Sequence, residues 1–316
     1  MTRQAEFDKL VAVFEQALIA GVGTGAVYAL IAYGISLVWS VSRTMNFAHG
    51  DVLMVSVFAS FVALFMGASG PFALVLALAV SIGLGVLLQK AVFYPLRKRK
   101  GSLNWVLGVV IFGAILRNIG VALFESRSYP APFAIGGEST FELPGGAVLR
   151  SSYIWVIAIC IVAAVVLDLT MYRTAFGRSI RAVAHSRDAA ELMGIDSEKV
   201  MTRTFALAAA IGTLAGFLMA PLTFISASLG LLITLKGFTA AILGGIGRGR
   251  GALAGGLIVG ITEQLLAVTE FTAPQWLAPY LAAGYRDALT FGILIVVLVV
   301  RPQGIFGPRQ ERFERP

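Results

Sequence analysis

Residues 172–203 read YRTAFGRSIRAVAHSRDAAELMGIDSEKVMTR and lie between two long apolar runs. This island holds Arg173, Arg178, Arg181, Arg187, Lys199 and Arg203. A membrane protein gathers lysine and arginine in the loops of one face, so charge alone would make this only a basic loop. Its interior argues for more. The run Asp188-Ala189-Ala190-Glu191-Leu192-Met193-Gly194 joins small residues, which permit close approach, to a glycine suited to end a helix. The expected element is a short helix over 186–195 that docks into another protein. Ala189 and Ala190 would make the close contact, and Arg178, Arg181 and Arg187 would pair with acidic groups on the partner.

Outward from the island the chain is apolar. Of its 316 residues 58% are hydrophobic and 13% charged, with a mean hydropathy of +0.84. Soluble domains carry about a quarter charged residues. Repeated apolar runs account for the difference, and the fold class is an all-α polytopic membrane bundle. A crossing helix needs about 20 apolar residues. Spans are expected at roughly 15–39, 51–68, 71–93, 104–124, 153–171, 204–226, 252–268 and 287–300, about eight in all. The run 237–247 is too short for an ordinary span and reads as a half-helix or re-entrant piece. No hydrophilic linker divides the chain, so 1–316 is expected to form a single transmembrane domain.

The single cysteine, Cys160, excludes a disulfide framework. The two histidines, His49 and His185, fall in different elements, so neither a metal site nor a cofactor is expected. The mixed charge of MTRQAEFDKL does not suggest a removed signal peptide. A net charge of +8 could suggest nucleic acid, but the cations fall in alternate loops rather than on one soluble face. Arg43, the 90–100 loop, the 172–203 loop, Arg248, Arg250 and the C-terminal tail carry most of the 25 lysines and arginines. The positive-inside rule makes that face cytoplasmic. The N-terminus is then external and the C-terminus cytoplasmic, provided 237–247 crosses. The longest external loop, 125–152, places FAI and FEL among prolines and glycines, as a short hairpin would. A second external segment, 269–285, carries Trp276 and Tyr280, which suit the membrane–water boundary.

Three further features carry polar chemistry. In Met45-Asn46-Phe47-Ala48-His49-Gly50-Asp51, Asn46 and Asp51 can cap helix ends and Gly50 permits a tight turn. Capping accounts for every polar residue of the string; alternatively Asn46 and His49 line a path for a polar solute. The block GFTAAILGGIG at 237–247, followed by Arg248-Gly249-Arg250-Gly251, is glycine-rich without being a phosphate loop, since no Lys-Ser or Lys-Thr follows. Gly244, Gly245, Gly247, Gly255 and Gly256 are expected to bring helices close together, as are pairs such as Gly21/Gly25 and Gly256/Gly260. Finally, Arg117, Asp168 and Glu263 stand inside expected spans, where a charge must face the bundle interior or an interface. Arg117 and Glu263 could pair or could line a polar path, and Asp168 is expected beside Arg173.

These same strings resemble the smaller permease subunit of the branched-chain (hydrophobic) amino-acid ABC importers. The coupling-loop spacing Asp-Ala-Ala-x-x-x-Gly at 188–194, the Asn-Phe-Ala-His-Gly-acid signature at 46–51 and the Phe-Thr-Ala-Ala-x-Leu-Gly-Gly-Ile-Gly block at 238–247 carry the likeness, which covers roughly 15–307. Asp188 and Asp51 stand where the family more often has Glu, and Arg248-Gly-Arg where a turn more often contains Pro. The resemblance implies an ABC importer permease in the bacterial inner membrane, partnered by two ATP-binding cassette subunits, a second permease subunit and a soluble binding protein. It implies no covalent chemistry in this chain. Arg181, Arg187, Asp188, Ala189, Ala190 and Gly194 would couple to the ATPase. Asn46, His49, Arg117 and Glu263 would lie on the substrate path. Urea, short amides and small carboxylates stand as alternative substrates, and a facilitator independent of ATP as an alternative mechanism.

Overall fold

A computed structural model describes residues 3–97, 104–125, 127–131, 135–137, 139–142, 146–227, 229–272, 283–301 and 303–307. The helices are α1 (Arg3–Ser42), α2 (His49–Phe65), α3 (Gly70–Leu87), α4 (Tyr94–Arg97), α5 (Asn104–Phe124), α6 (Ser151–Arg173), α7 (Ala175–His185), α8 (Arg187–Leu192), α9 (Ser197–Met219), α10 (Leu229–Gly244), α11 (Gly249–Thr272) and α12 (Ala283–Val300). A π-helical turn, Leu88–Phe93, joins α3 to α4 without a break. Six helices among the described residues are long and apolar enough to cross a membrane, and α2, α10 and part of α12 are shorter apolar helices.

Helix α1 is the axis of the bundle. Its 40 residues extend about 60 Å at 1.5 Å per residue. It packs against α6, α9, α10 and α11, and it is apolar on all sides through Val27, Leu30, Ile31 and Ile35, all buried. Glycine makes those contacts close. A Cβ added at Gly256 would lie 2.2 Å from the Ala29 backbone, and one at Gly260 would lie 2.2 Å from Gly25. On the other side of α11, a Cβ at Gly255 would meet the Ala240 carbonyl at 2.0 Å. Gly244 and Gly251 close the α10–α11 pair in the same way. Gly245 and Gly247 instead form the turn between those helices, with φ of +93° and +85°.

Two connections enter the bundle from opposite ends. Arg43 closes α1, and its guanidinium donates to the Ala184 carbonyl of α7 at 2.7 Å, placing it at the basic end. From there 44–48 turns back inward. His49, the first residue of α2, lies against Gly34, about 12 Å inside that end of α1. At the opposite end Ile225 pairs with Tyr129, and the chain descends to start α10 at Leu229. Helices α2 and α10 therefore start against one another. A Cβ at Gly50 would fall 2.0 Å from the Gly230 carbonyl, and the Gly50 amide donates to Thr234 Oγ1 at 2.9 Å. Irregular backbone at this depth is tolerable because it is enclosed by protein and its polar groups find partners.

Several expected boundaries shift, each for a physical reason. The run 237–247 is the second half of the short apolar helix α10 and the turn that follows, and α10 is preceded by a non-helical stretch at 223–227. Lys236 interrupted the apolar pattern, and Glu263 neutralises it. Lys90 belongs to the π-helical turn rather than to a loop, so the helix begun by α3 continues to Arg97. Helix α9 begins at Ser197 rather than 204, because Asp196 Oδ1 caps it by accepting from the Lys199 amide at 3.0 Å. In the 125–152 segment a hairpin pairs Thr140–Glu142 with Val148–Arg150, so Phe141 and Glu142 of FEL contribute to it, while most of FAI lies outside the described residues. Trp276 and Tyr280 lie outside the described residues.

Close backbone contact makes a sharp prediction. Gly256→Ala should lower the melting temperature of the detergent-solubilised protein, at a cost of about 1–3 kcal/mol for overpacking. Gly83→Ala, in α3 where an added Cβ meets nothing within 4 Å, should leave it unchanged or raise it. Equal losses would mean that helix propensity, not the α1–α11 contact, governs the glycines.

Candidate functional site

Two regions collect the chemistry. The first is a polar layer inside the bundle, where α2 begins. Asn46 Oδ1 accepts from the Ala48 amide at 3.2 Å and holds the turn before α2. His49 is buried, 2% exposed, with its ring between Gly34 of α1 and Gly212 of α9. A Cβ at Gly212 would come within 2.8 Å of His49 Nε2. That nitrogen has no hydrogen-bond partner among the described residues. Glycine on each of two helices thus makes room for a buried imidazole.

Asp51 was expected to act as a helix cap. It is instead the partner of Arg117. Arg117 Nε donates to Asp51 Oδ1 and Nη2 to Oδ2, both at 3.0 Å, in a two-pronged pair between α2 and α5. The Asp51 side chain is 1% exposed, and Gly113 of α5 leaves the space it fills. Its place in the first turn of α2 also suits the positive end of that helix dipole. Glu263 therefore does not pair with Arg117. It accepts from Lys236 Nζ at 2.7 Å, joining α11 to α10, with the lysine over the Tyr28 ring of α1. Neither pairing is marked in the sequence, since the partners lie 66 and 27 residues apart.

The second region is the polar island at the basic end. Thr174 Oγ1 caps α7 by accepting from the Gly177 amide at 3.1 Å. Helix α7 buries Gly177, Ile180 and Val183 and exposes the opposite face, as a helix lying along an interface does. Ser186 Oγ accepts from the Ala189 amide at 3.2 Å and starts α8, six residues within the expected 186–195. Gly194, with φ of +80°, ends it; the Gly194 amide donates to the Glu191 carbonyl and the Ile195 amide to that of Ala190. Ala190 is buried, Asp188 and Ala189 are exposed, and Leu192 and Met193 are 88% and 82% exposed.

Ion pairs stiffen the loop internally. Glu191 accepts from Ser197 and from Arg187, which hold its carboxyl below the usual carboxylate range. Asp196 is held low by the Lys199 amide and ammonium. Of the arginines expected to face a partner, Arg187 is engaged with Glu191 at 3.0 Å. Arg181 turns inward, donating to the Met171 carbonyl and lying over the Tyr172 ring. Asp168 does not sit with Arg173 but receives two hydrogen bonds from Arg250, at 2.8 and 2.9 Å, tying α6 to α11. Arg248 donates to the Phe306 carbonyl, so the post-α10 turn holds the C-terminal segment.

Comparison with known proteins matches this architecture. Residues 17–298 match the family model for the branched-chain amino acid transport system permease component. The chain is 32% identical to the high-affinity branched-chain amino acid transport system permease protein LivH of Salmonella typhimurium, over 93% of this chain and 96% of the relative. It is also 32% identical to the corresponding permease protein BraD of Pseudomonas aeruginosa, over 92% and 95%. Among solved structures, a chain of PsaBC from Streptococcus pneumoniae in complex with Fab superposes with a TM-score of 0.51 at 14% identity, covering 92% of each chain. That last likeness is one of fold. With the family model spanning nearly all of the helical bundle, the chain belongs to the branched-chain amino acid transport permease family and is a multi-pass membrane protein.

Proposed function

We propose that this chain is the membrane-spanning subunit of an ATP-driven importer for branched-chain or other small hydrophobic amino acids in the bacterial inner membrane. The observation that carries the mechanism is α8. It is a short, doubly capped helix with exposed apolar side chains at its tip, and the stretch that follows leads directly into the first turn of α9. Leu192 and Met193, with Ala189 and Gly194 beside them, form a surface for the groove of a nucleotide-binding subunit, and Asp188 adds a charge. Movement of α8 then reaches α9, and through Gly212 it reaches His49.

Positive-inside orientation puts α7, α8 and Arg248 in the cytoplasm and the N-terminus outside. The chain then traverses the membrane nine times, counting the two traverses completed by α2 and α10, about as many as the hydropathy pattern implies. The 125–152 segment faces a soluble binding protein. A second, related permease completes the membrane assembly, with two ATPase subunits below it. Asn46, His49 and Arg117 supply the polar groups nearest the solute's path, while Glu263 serves the fold through Lys236.

In proteoliposomes holding the ATPases, second permease and binding protein, leucine uptake should require ATP. Leu192→Asp and Gly194→Arg should each reduce it at least tenfold while the complex still reaches the membrane. Transport without ATP, or normal rates in both variants, would leave a facilitator with a merely basic loop. Competition by urea but not leucine would reassign the substrate.

The polar layer gives a second test. Asp51→Asn alone should destabilise the protein by about 3–5 kcal/mol, because Arg117 is left unpaired. Adding Arg117→Gln should recover most of that loss in thermal melts. If the double variant is as stable as wild type yet transports poorly, the pair serves the solute path. If it is stable and transports fully, the pair is structural.

A further inference from the structure

Two hollows meet at the Asp168–Arg250 pair. The first, about 550 Å³, opens at the basic end between α1, α6, α7 and the start of α11. Its charged lining is Arg181, Arg248 and Arg250 against Asp168 alone, with the hydroxyls of Tyr33, Ser40 and Tyr172 among the remainder. Asp168 takes up Arg250, whereas among the described residues Arg181 and Arg248 donate to carbonyls and face no carboxylate of their own. The second hollow, about 410 Å³, is a groove running away from the first between α1, α6 and α11. Small side chains make its depth, among them Ala26, Ala29, Cys160 and Ala164, and Leu253 and Leu257 form its far wall. Asp168 and Arg250 line both. From Asp168 to Cys160 the groove follows α6 for about 12 Å at 1.5 Å per residue. That is close to the depth of one leaflet, half of a hydrocarbon core about 30 Å thick.

We propose that these hollows together form a binding site for one anionic phospholipid of the leaflet at the basic end. The phosphodiester sits among Arg181, Arg248 and Arg250, and an acyl chain fills the groove beside Ala164. Each half alone would be unremarkable: basic pockets and lipid-facing grooves are common on membrane helices. Their meeting at one ion pair, with excess positive charge at headgroup depth and an apolar slot leading inward, fits a molecule that is anionic at one end and hydrocarbon at the other. The bound lipid would brace α7 against α11, joining the docking loop to the glycine-packed centre. The inference takes the assembly from the transport reading, but its readout is lipid retention, so failure of transport would leave it standing.

The test is lipid retention by the full permease assembly, exchanged into nanodiscs of phosphatidylcholine with a minor fraction of phosphatidylglycerol. Native mass spectrometry should find phosphatidylglycerol retained well above its bulk fraction. Arg248→Gln, which removes headgroup charge, and Ala164→Leu, which fills the groove, should each reduce retention at least fivefold. Arg248→Lys should restore much of it. Inorganic phosphate at millimolar concentration should not displace the lipid. Retention at the bulk fraction, or indifference to both variants, would overturn the proposal. So would displacement by free phosphate, which would mark a small-anion pocket, or efficient cross-linking of Ala164→Cys to the second permease, which would show the groove filled by protein.

Discussion

Lipid removes the force that holds soluble helices together, because hydrocarbon tails are as apolar as leucine. What remains is contact distance, and α1 is where this chain satisfies that constraint. Gly25, Gly256 and Gly260 bring α1 and α11 to backbone contact, and Gly244, Gly251 and Gly255 do the same for α11 and α10. Close packing gathers dispersion contacts that no looser arrangement would supply. It also leaves little freedom: a helix pair in backbone contact has few alternative registers. The long, buried α1 is the fixed reference around which the two inward-turning connections are built.

Those connections depend on that packing. Chains that leave helical geometry inside a bilayer expose backbone groups at a cost of several kcal/mol each. The starts of α2 and α10 meet that cost by facing one another, with the Gly50 amide on Thr234 and the Gly50–Gly230 contact excluding lipid. Internal charges follow the same logic. Asp51 with Arg117, Lys236 with Glu263 and Asp168 with Arg250 each link two different helices. Every pair is a cross-brace as well as a neutralisation. His49 departs from the pattern, buried beside glycine on two helices with an unpartnered nitrogen.

The limits of sequence reading fall at particular residues. Hydropathy located the long helices because a stretch such as 104–124 has no competing explanation. It failed at 229–236, where Lys236 broke the apolar run; the charge is tolerable only because Glu263, on another helix, approaches it. Capping chemistry placed Asn46 close to the start of α2, but its local hydrogen bond to the Ala48 amide holds the preceding turn and does not cap the helix. The same reasoning misplaced Asp51, whose partner is 66 residues away. In the island, Ser186, Gly194 and the small residues between them specified α8 by short-range rules. The inward turn of Arg181 depended on where α6 ends.

By itself, then, the sequence determined what local physics determines: a membrane-spanning all-α chain, its long spans, a basic face, the capped helix at 187–192 and the glycines able to pack closely. Tertiary structure alone decided which charge meets which, that α2 and α10 begin against each other inside the bundle, and that an arginine-lined hollow opens into an apolar groove. The reason is the range of the forces. Hydropathy and capping act over one or two turns and leave a mark in neighbouring residues. Ion pairs and backbone contacts between distant helices depend on three-dimensional distance, which no single stretch of chain records.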